Sequence, residues 1–305
     1  MRLRRGSSCA RTGEGGRDAL QCRCYVALAT HGFTSTPVRI LCCVNRDLYS
    51  NYALNLLLPE LARAEHVSRV VMSDRVGTSS GPSAIQALRA IEMAIPNEVV
   101  FPIAQRFCAR DGRLLTFEEL SVYCDGVLPI SCNLNANDGR ELLDSFSPEL
   151  IITIRYGFIM RSPTIARPSH GVINLHSGIL PQYRGILSTL YAITNGEADI
   201  GCTLHWIVDA GIDTGPIIAI ARRPVESGRS LLWHILSLYP LGVPLIIEAV
   251  RRITSGEPLP QHPQAEGTYK STPGAADVDA LAARGMALFD ASDLRDIKAS
   301  YLPGI

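Results

Sequence analysis

Two apolar runs lie close together in the middle of the chain: "ELIITIRYGFIM", residues 149–160, and "HGVINLH", residues 170–176. The first is rich in isoleucine and carries no polar alternation, which suits a central strand buried on both faces. The second ends in Asn174 and His176. Residues i and i+2 of a strand point to one face, so an amide and an imidazole leave the strand end together. A loop containing Gly and Pro, "SGILPQYRG", follows, and "ILSTLYAITNGE" resumes at helical spacing. Strand, loop and helix in that order form the repeating unit of a parallel sheet.

The same alternation extends outward. "VRILCCV", 38–44, suits another doubly buried strand, with Cys42 and Cys43 on opposite faces. "NYALNLLLPELARAE" has helical spacing, and Pro59 is expected at a kink or a helix end. "SRVVMSD", 68–74, reads as a strand, 75–82 as a Gly/Ser-rich loop, and 83–107 as helix punctuated by Pro96 and Pro102. "TFEELSVYCDG" reads as a short helix, "VLPISCNL" as a strand, and "NDGRELLDSF" as a helix opened by an Asn/Asp cap. "IGCTLHWIVD" alternates as a strand. The expected fold is α/β: a Rossmann-like, mostly parallel sheet flanked by helices, over residues 38–225. No G-x-G-x-x-G follows the first strand, so the dinucleotide fingerprint is absent. After Pro224, "SLLWHILSLYPLGVPLIIEAVRRITSGE" reads as a long helical region broken near Pro240. A Pro/Gly-rich tail with a short helix follows, and 226–305 is expected to form a small helical C-terminal extension.

Composition narrows the function classes. Hydrophobic residues make up 47% and charged residues 19% of the 305 residues, and the formal net charge is zero. That balance is globular and offers no basic face for a phosphate backbone, so nucleic acid is not an expected partner. Nine cysteines at scattered spacings include no C-x-x-C pair, so reduced thiols and no metal are expected. No uninterrupted apolar run reaches membrane-spanning length, no membrane partner is expected, and a cytoplasmic location follows as the expectation. Residues 1–37 hold six arginines and no signal-peptide core. They fit a transit peptide or a disordered extension, and the extension is the expectation.

Ligands of open parallel sheets sit at the carboxyl ends of the strands, where Asn174 and His176 fall. An amide there can donate to a developing oxyanion, and an imidazole can move a proton. The same spacing also fits a turn-capping Asn and a packed His. A second polar segment, "VDAGIDTGPII" (208–218), brings Asp213 just before a sharp T-G-P turn. A carboxylate beside His176 could relay a proton; an Asx-turn or a solvated loop acid fits equally. His205 either faces the pocket or packs. Trp233 and His234 are expected to pack the C-terminal helix onto the main domain. Arg184 either clamps an anionic group or pairs at the surface.

Taken together, N-x-H, then L-P-x-Y-R-G, then D-x-G-P resemble the folate-dependent formyltransferase family, sharpest over 150–218. The resemblance implies a formyltransferase catalytic domain at 38–225 with Asn174, His176 and Asp213 as the catalytic set. It implies 10-formyltetrahydrofolate as donor, with the pterin against Phe158, Ile159, Met160, Val208, Asp209, Gly211 and Ile212. Asn174, helped by His176, is expected to stabilise the oxyanion, and Asp213 to orient His176. The expected acceptor is the amine of a small metabolite: an amino sugar, a hydroxyornithine-like amine or another amine. A homodimer is compatible with this reading. Alternatives are a formyltetrahydrofolate hydrolase, or a methionyl-tRNA formyltransferase-like enzyme without the usual C-terminal domain.

The sequence also departs from the family. "HSGILP" stands where many members have H-P-S-L-L-P. The loop after the first strand, "NRDLYSNYALN", lacks the glycines that hold a phosphate by their amides, and Asp47 is expected to repel one, although Arg46 is basic. That disfavours the purine-pathway acceptor. Residues 226–305 contain no basic run, which disfavours tRNA. Tyr269 and Lys270 are expected either to touch the acceptor or to lie on a packing arm.

Overall fold

The computed structural model describes residues 36–74, 81–130 and 132–305, so most of the 1–37 segment lies outside the described residues. Strands and helices alternate in chain order. β1 (Arg39–Asn45) leads to α1 (Leu48–Arg63), and β2 (Val67–Ser73) to α2 (Ser83–Arg89) and α3 (Phe101–Phe107). β3 (Val127–Ile130), α4 (Asn137–Phe146), β4 (Leu150–Ile154), α5 (Ser162–Ile165) and β5 (Val172–His176) follow. Next come β6 (Tyr183–Gly185), α6 (Ser188–Thr194), β7 (Asp199–Trp206) and β8 (Ile217–Pro224). The chain ends with α7 (Leu231–Leu236), α8 (Tyr239–Thr254), β9 (Thr268–Lys270), α9 (Ala275–Ala283) and α10 (Ala291–Tyr301).

Seven strands form one sheet in the order β3-β2-β1-β4-β5-β7-β8. β7 alone runs antiparallel to its neighbours, so the sheet is mostly parallel as expected. β1 and β4 sit in its middle and are buried on both faces, which is why their sequences show no alternation. Period-2 geometry sends Cys42 into the apolar layer under α1 and α8, and Cys43 into the layer under α4. β8 is an edge strand of mixed burial; its alternation is too weak to read from "IIAIARRP".

Several local expectations are corrected. α1 runs through Pro59 to Arg63 without ending there. The helix over 83–107 absorbs Pro96 and Pro102 by widening into π-helical turns at Ala90–Ala94 and Pro96–Val100. A wider turn relieves the missing N–H and the ring clash that proline brings. "TFEELSVYCDG" holds only a 3₁₀ turn, Glu119–Tyr123. α4 begins after Ala136, which has no capping oxygen. Asn137 and Asp138 lie inside its first turn, where the Asp138 charge suits the helix dipole. "ELIITIRYGFIM" is strand only to Ile154, because Arg155 takes a left-handed φ of 58° and turns the chain out of the sheet.

The region after Pro224 packs on the same sheet: α7 meets α1, and α8 meets α1, β7 and β8. Read as one run, Leu231–Thr254 is long and apolar enough to cross a membrane, contrary to expectation. It is two helices separated at Ser237–Leu238, and Leu232, Ile235, Tyr239, Val243, Ile246 and Val250 are buried in the core. His234 is buried, accepting from the Glu226 amide at 2.9 Å, and Arg223 and Arg229 cover the two-ring Trp233 at 4.5 and 4.8 Å.

Candidate active site

Three adjacent strands place polar side chains side by side. Thr153 of β4 is opposite Asn174 of β5, and Asn174 is opposite His205 of β7. The Thr153 hydroxyl donates to Asn174 Oδ1 at 2.6 Å. That bond orients the amide, turning Nδ2 toward His205 Nε2 at 3.0 Å and Asp213 Oδ1 at 3.4 Å. His205 Nδ1 lies 2.8 Å from the Trp206 carbonyl. A carbonyl only accepts, so Nδ1 carries a proton, and Nε2 faces both Asn174 Nδ2 and Asp213 Oδ1, the latter at 3.4 Å.

His176 is one pleat further along β5 and is buried. Its Nε2 donates to the Tyr183 carbonyl at 2.7 Å and lies 3.1 Å from the Ser188 hydroxyl. Nδ1 therefore faces Asp213 Oδ2, at 3.4 Å. The ring packs tightly on Gly178, where a Cβ would come within 2.6 Å of His176 Nε2 and of Ser188 Cβ. Glycine in "HSGILP" is thus a requirement of the packed imidazole.

Asp213 takes a left-handed φ of 54° in the loop between β7 and β8, a conformation that Asp tolerates better than most residues. Its Oδ2 accepts the Gly185 amide at 2.9 Å, and its carbonyl accepts from Gln264 Nε2 at 3.1 Å. Burial raises its carboxyl, but the His176 and His205 rings and the Gly185 amide bring it down to about 2. The two loop aspartates divide the alternatives between them: Asp209 makes the Asx-turn, accepting from the Gly211 amide at 2.7 Å, while Asp213 enters the site.

These groups open into a cavity of about 410 Å³, within the size range of small-molecule sites. Phe158, Ile159, Met160, Asp209, Gly211 and Ile212 line it together with Asn174, His176 and Asp213. Val208 is exposed and is not part of the wall. Tyr269 lines the mouth, while the Lys270 ammonium lies 5.1 Å over the Tyr191 ring. Arg184 donates to the Gly267 carbonyl and forms no ion pair among the described residues. His205, which could face the pocket or pack, is buried yet lines the cavity. Thr153 and Gly185 escape sequence reasoning as site residues, and only the cross-strand register reveals Thr153.

The loop after β1 differs from its expected role. Asp47 caps α1, accepting from the Ser50 amide at 2.8 Å, and is wholly buried. Arg155 Nε reaches Asp47 Oδ2 at 2.8 Å and Nη2 reaches Glu92 Oε2 at 3.5 Å. The Tyr49 hydroxyl donates to Glu92 Oε1 at 2.9 Å. Burial pushes the Glu92 carboxyl up to about 7 against the pull of Arg155. Asp47 thus repels nothing in the cleft. The amides of Arg46, Asp47, Ser50 and Asn51 are already bonded within the protein, so no free amide cradle forms from them. Arg46 is turned to Asn97 and Glu118. Among the described residues no His/Cys/Asp/Glu group is placed to hold a metal.

Residues 117–231, which include Asn174, His176 and Asp213, match the family model described as formyl transferase. The methionyl-tRNA formyltransferase of Kosmotoga olearia is 33% identical over 138 residues, 45% of this chain and 44% of that protein. That of Syntrophomonas wolfei is 31% identical over 179 residues, 58% and 56%. The chain thus spans about half the length of the curated relatives it matches. A sugar N-formyltransferase structure from a Shewanella species aligns with TM-score 0.50 at 16% identity, over 80% of this chain and 79% of that one. An N-formyltransferase from Helicobacter canadensis, solved with folinic acid and dTDP-3-aminofucose, gives TM-score 0.50 at 16% identity, over 78% and 71%. At such identity these two likenesses speak for the fold. Sequence match and geometry coincide: the segment 117–231, similar to the formyl transferase model, carries the polar row at the sheet's end.

Proposed function

We propose that this chain transfers a formyl group from 10-formyltetrahydrofolate to the amine of a small metabolite. The observation that carries the reading is the convergence of Asn174, His176 and ionised Asp213 at one end of a cleft of about 410 Å³. The apolar wall of Phe158, Ile159, Met160 and Ile212 fits a flat heterocycle, and the bound donor supplies the formyl carbon. Asn174 Nδ2 has one firm contact, to His205, and one long one, to Asp213. A contact at 3.4 Å is weak, so that hydrogen is free to turn to the negative charge developing on the formyl oxygen. The Nε2 hydrogen of His176 is tied to the Tyr183 carbonyl. Nδ1 is left to take the amine's proton, with Asp213 beside it stabilising the resulting imidazolium, and to return it to N10 as the formyl C–N10 bond breaks and tetrahydrofolate leaves.

The test is formyl transfer from 10-formyltetrahydrofolate to a panel of amines, read by mass spectrometry. Asn174→Ala is expected to bind folinic acid normally and to lose about 10²–10³ in rate. Full activity in that variant sinks the assignment. The curated relatives favour a second acceptor, methionyl-tRNA, and charged initiator tRNA belongs in the same panel. The net charge of zero speaks for the small amine.

A further inference from the structure

The segment after α8 lies outside residues 117–231, which match the formyl transferase model, yet it packs against the catalytic loops. The Pro260 carbonyl accepts from the Trp206 indole at 3.2 Å. His262 and Ile217 exchange backbone bonds of 2.8 and 3.0 Å. The Gly267 carbonyl accepts from Arg184, and a Cβ on Gly267 would come within 1.7 Å of the Pro181 carbonyl. β9 then pairs with β6, and Tyr269 lines the cavity mouth. Residues 260–270 thus run from the ends of β7 and β8 to the loop that follows His176. All of these bonds are made by the segment's own main chain.

Gln264 adds a side chain to that contact. Its Nε2 donates to the Asp213 carbonyl at 3.1 Å and to the Gly215 carbonyl at 2.6 Å. An amide nitrogen carries two hydrogens, so both are spent on this turn. Oε1 is buried without a partner among the described residues, a costly state that the donated bonds and the packing outweigh. The turn needs a clamp. Asp213 holds φ at 54°, which is unfavourable for a residue with a Cβ. Gly215 presses on β7, where a Cβ would come within 1.8 Å of the Trp206 carbonyl. The Asp213 carboxylate meets His176 and His205 at 3.4 Å and the Gly185 amide at 2.9 Å. A rotation of the backbone at 213 would carry it away from the imidazole. The nearby donor wall is less affected, because Asp209 and Gly211 close their own Asx-turn.

We propose that Gln264 is a positioning residue of the active site: by fixing the Asp213 and Gly215 carbonyls it aims the Asp213 carboxylate at His176. This rests on the formyl-transfer reading of the same site, in which that carboxylate stabilises the His176 imidazolium. Gln264 touches no reacting atom and acts through Asp213. The contribution is to rate, since displacing a catalytic group by about 1 Å can cost about 10²-fold. A residue beyond the segment matched to the family model thereby belongs to the working site.

Gln264→Met in the full chain tests the proposal, because Met keeps the length of the side chain and lacks both donors. Turnover is measured with 10-formyltetrahydrofolate and the acceptor that the wild-type chain formylates fastest among the amines and charged initiator tRNA of the panel. Donor affinity is read by calorimetry with folinic acid. We expect kcat to fall about 10-fold or more, with folinic acid affinity within about 3-fold of wild type. The same change is then made on Asp213→Asn. With the carboxylate gone, Gln264→Met should lower kcat/KM by less than about 3-fold more, because a residue that acts through Asp213 has nothing left to aim. The proposal is overturned by an unchanged kcat in Gln264→Met, or by losses that multiply in full in the double variant. Loss of folinic acid binding in Gln264→Met overturns it too, since the role of Gln264 is then structural. If the wild-type chain binds no folinic acid, or formylates no member of the panel, the formyl-transfer reading itself fails, and this proposal falls with it.

Discussion

Asn174 draws its orientation from Thr153 and its partner from His205, so the reacting amide is held by both neighbouring strands. Thr153→Val keeps the shape of the side chain but removes the hydroxyl. We expect the amide to lose its fixed direction, and kcat to fall while folinic acid affinity holds; an unchanged kcat would show that the orientation is set elsewhere. Asp213→Asn is the sharper change at this scale. Asn also tolerates the left-handed backbone at 213, so the fold should persist. The imidazolium would lose its counter-charge. A loss of at least about 10² in kcat/KM, with an unchanged circular dichroism spectrum, is the expected outcome.

At the level of elements, the β6–β9 pair and the 3₁₀ turn carry demands of their own. Gly185 ends β6 with φ 97°, and a Cβ there would come within 2.1 Å of the Lys270 carbonyl. Its amide is also the one that Asp213 accepts. Gly185→Ala should therefore cost about 1–3 kcal/mol in backbone strain and reduce activity together with stability, both read from denaturant titration and turnover. Arg113 and Glu119 make two bonds of 2.8 Å out of solvent, joining the end of α3 to the 3₁₀ turn. Glu119→Gln leaves a buried guanidinium without its counter-charge, at about 3–5 kcal/mol. A midpoint shift near zero in urea would refute that pairing. Neither feature is legible in sequence: the pairing of Arg113 with Glu119 leaves no periodic trace, and a strand of three residues has no measurable period.

Across the whole molecule, pH acts through histidines held neutral. Burial lowers both His66 and His234. His66 accepts the Val38 amide, and His234 accepts that of Glu226. A histidine lowered in the folded state contributes stability that is complete above its unfolded value of about 6.5 and is lost as pH falls through the folded one. Unfolding free energy should then decline from pH 7 toward pH 5, and His66→Gln should flatten that decline. β1, β2, β4, β5 and β7 were readable because their apolar runs are long, and Asn174 and His176 because a strand's period is fixed. Asp213 was recognisable from its motif. Sequence by itself thus determined the mostly parallel sheet and one polar strand end. Only the tertiary structure decided that β7 turns antiparallel and sets His205 against Asn174, and that Asp47 is a buried cap rather than a repelling loop charge. Register, burial and ion pairing join residues far apart in the chain, and no local pattern records which of them meet.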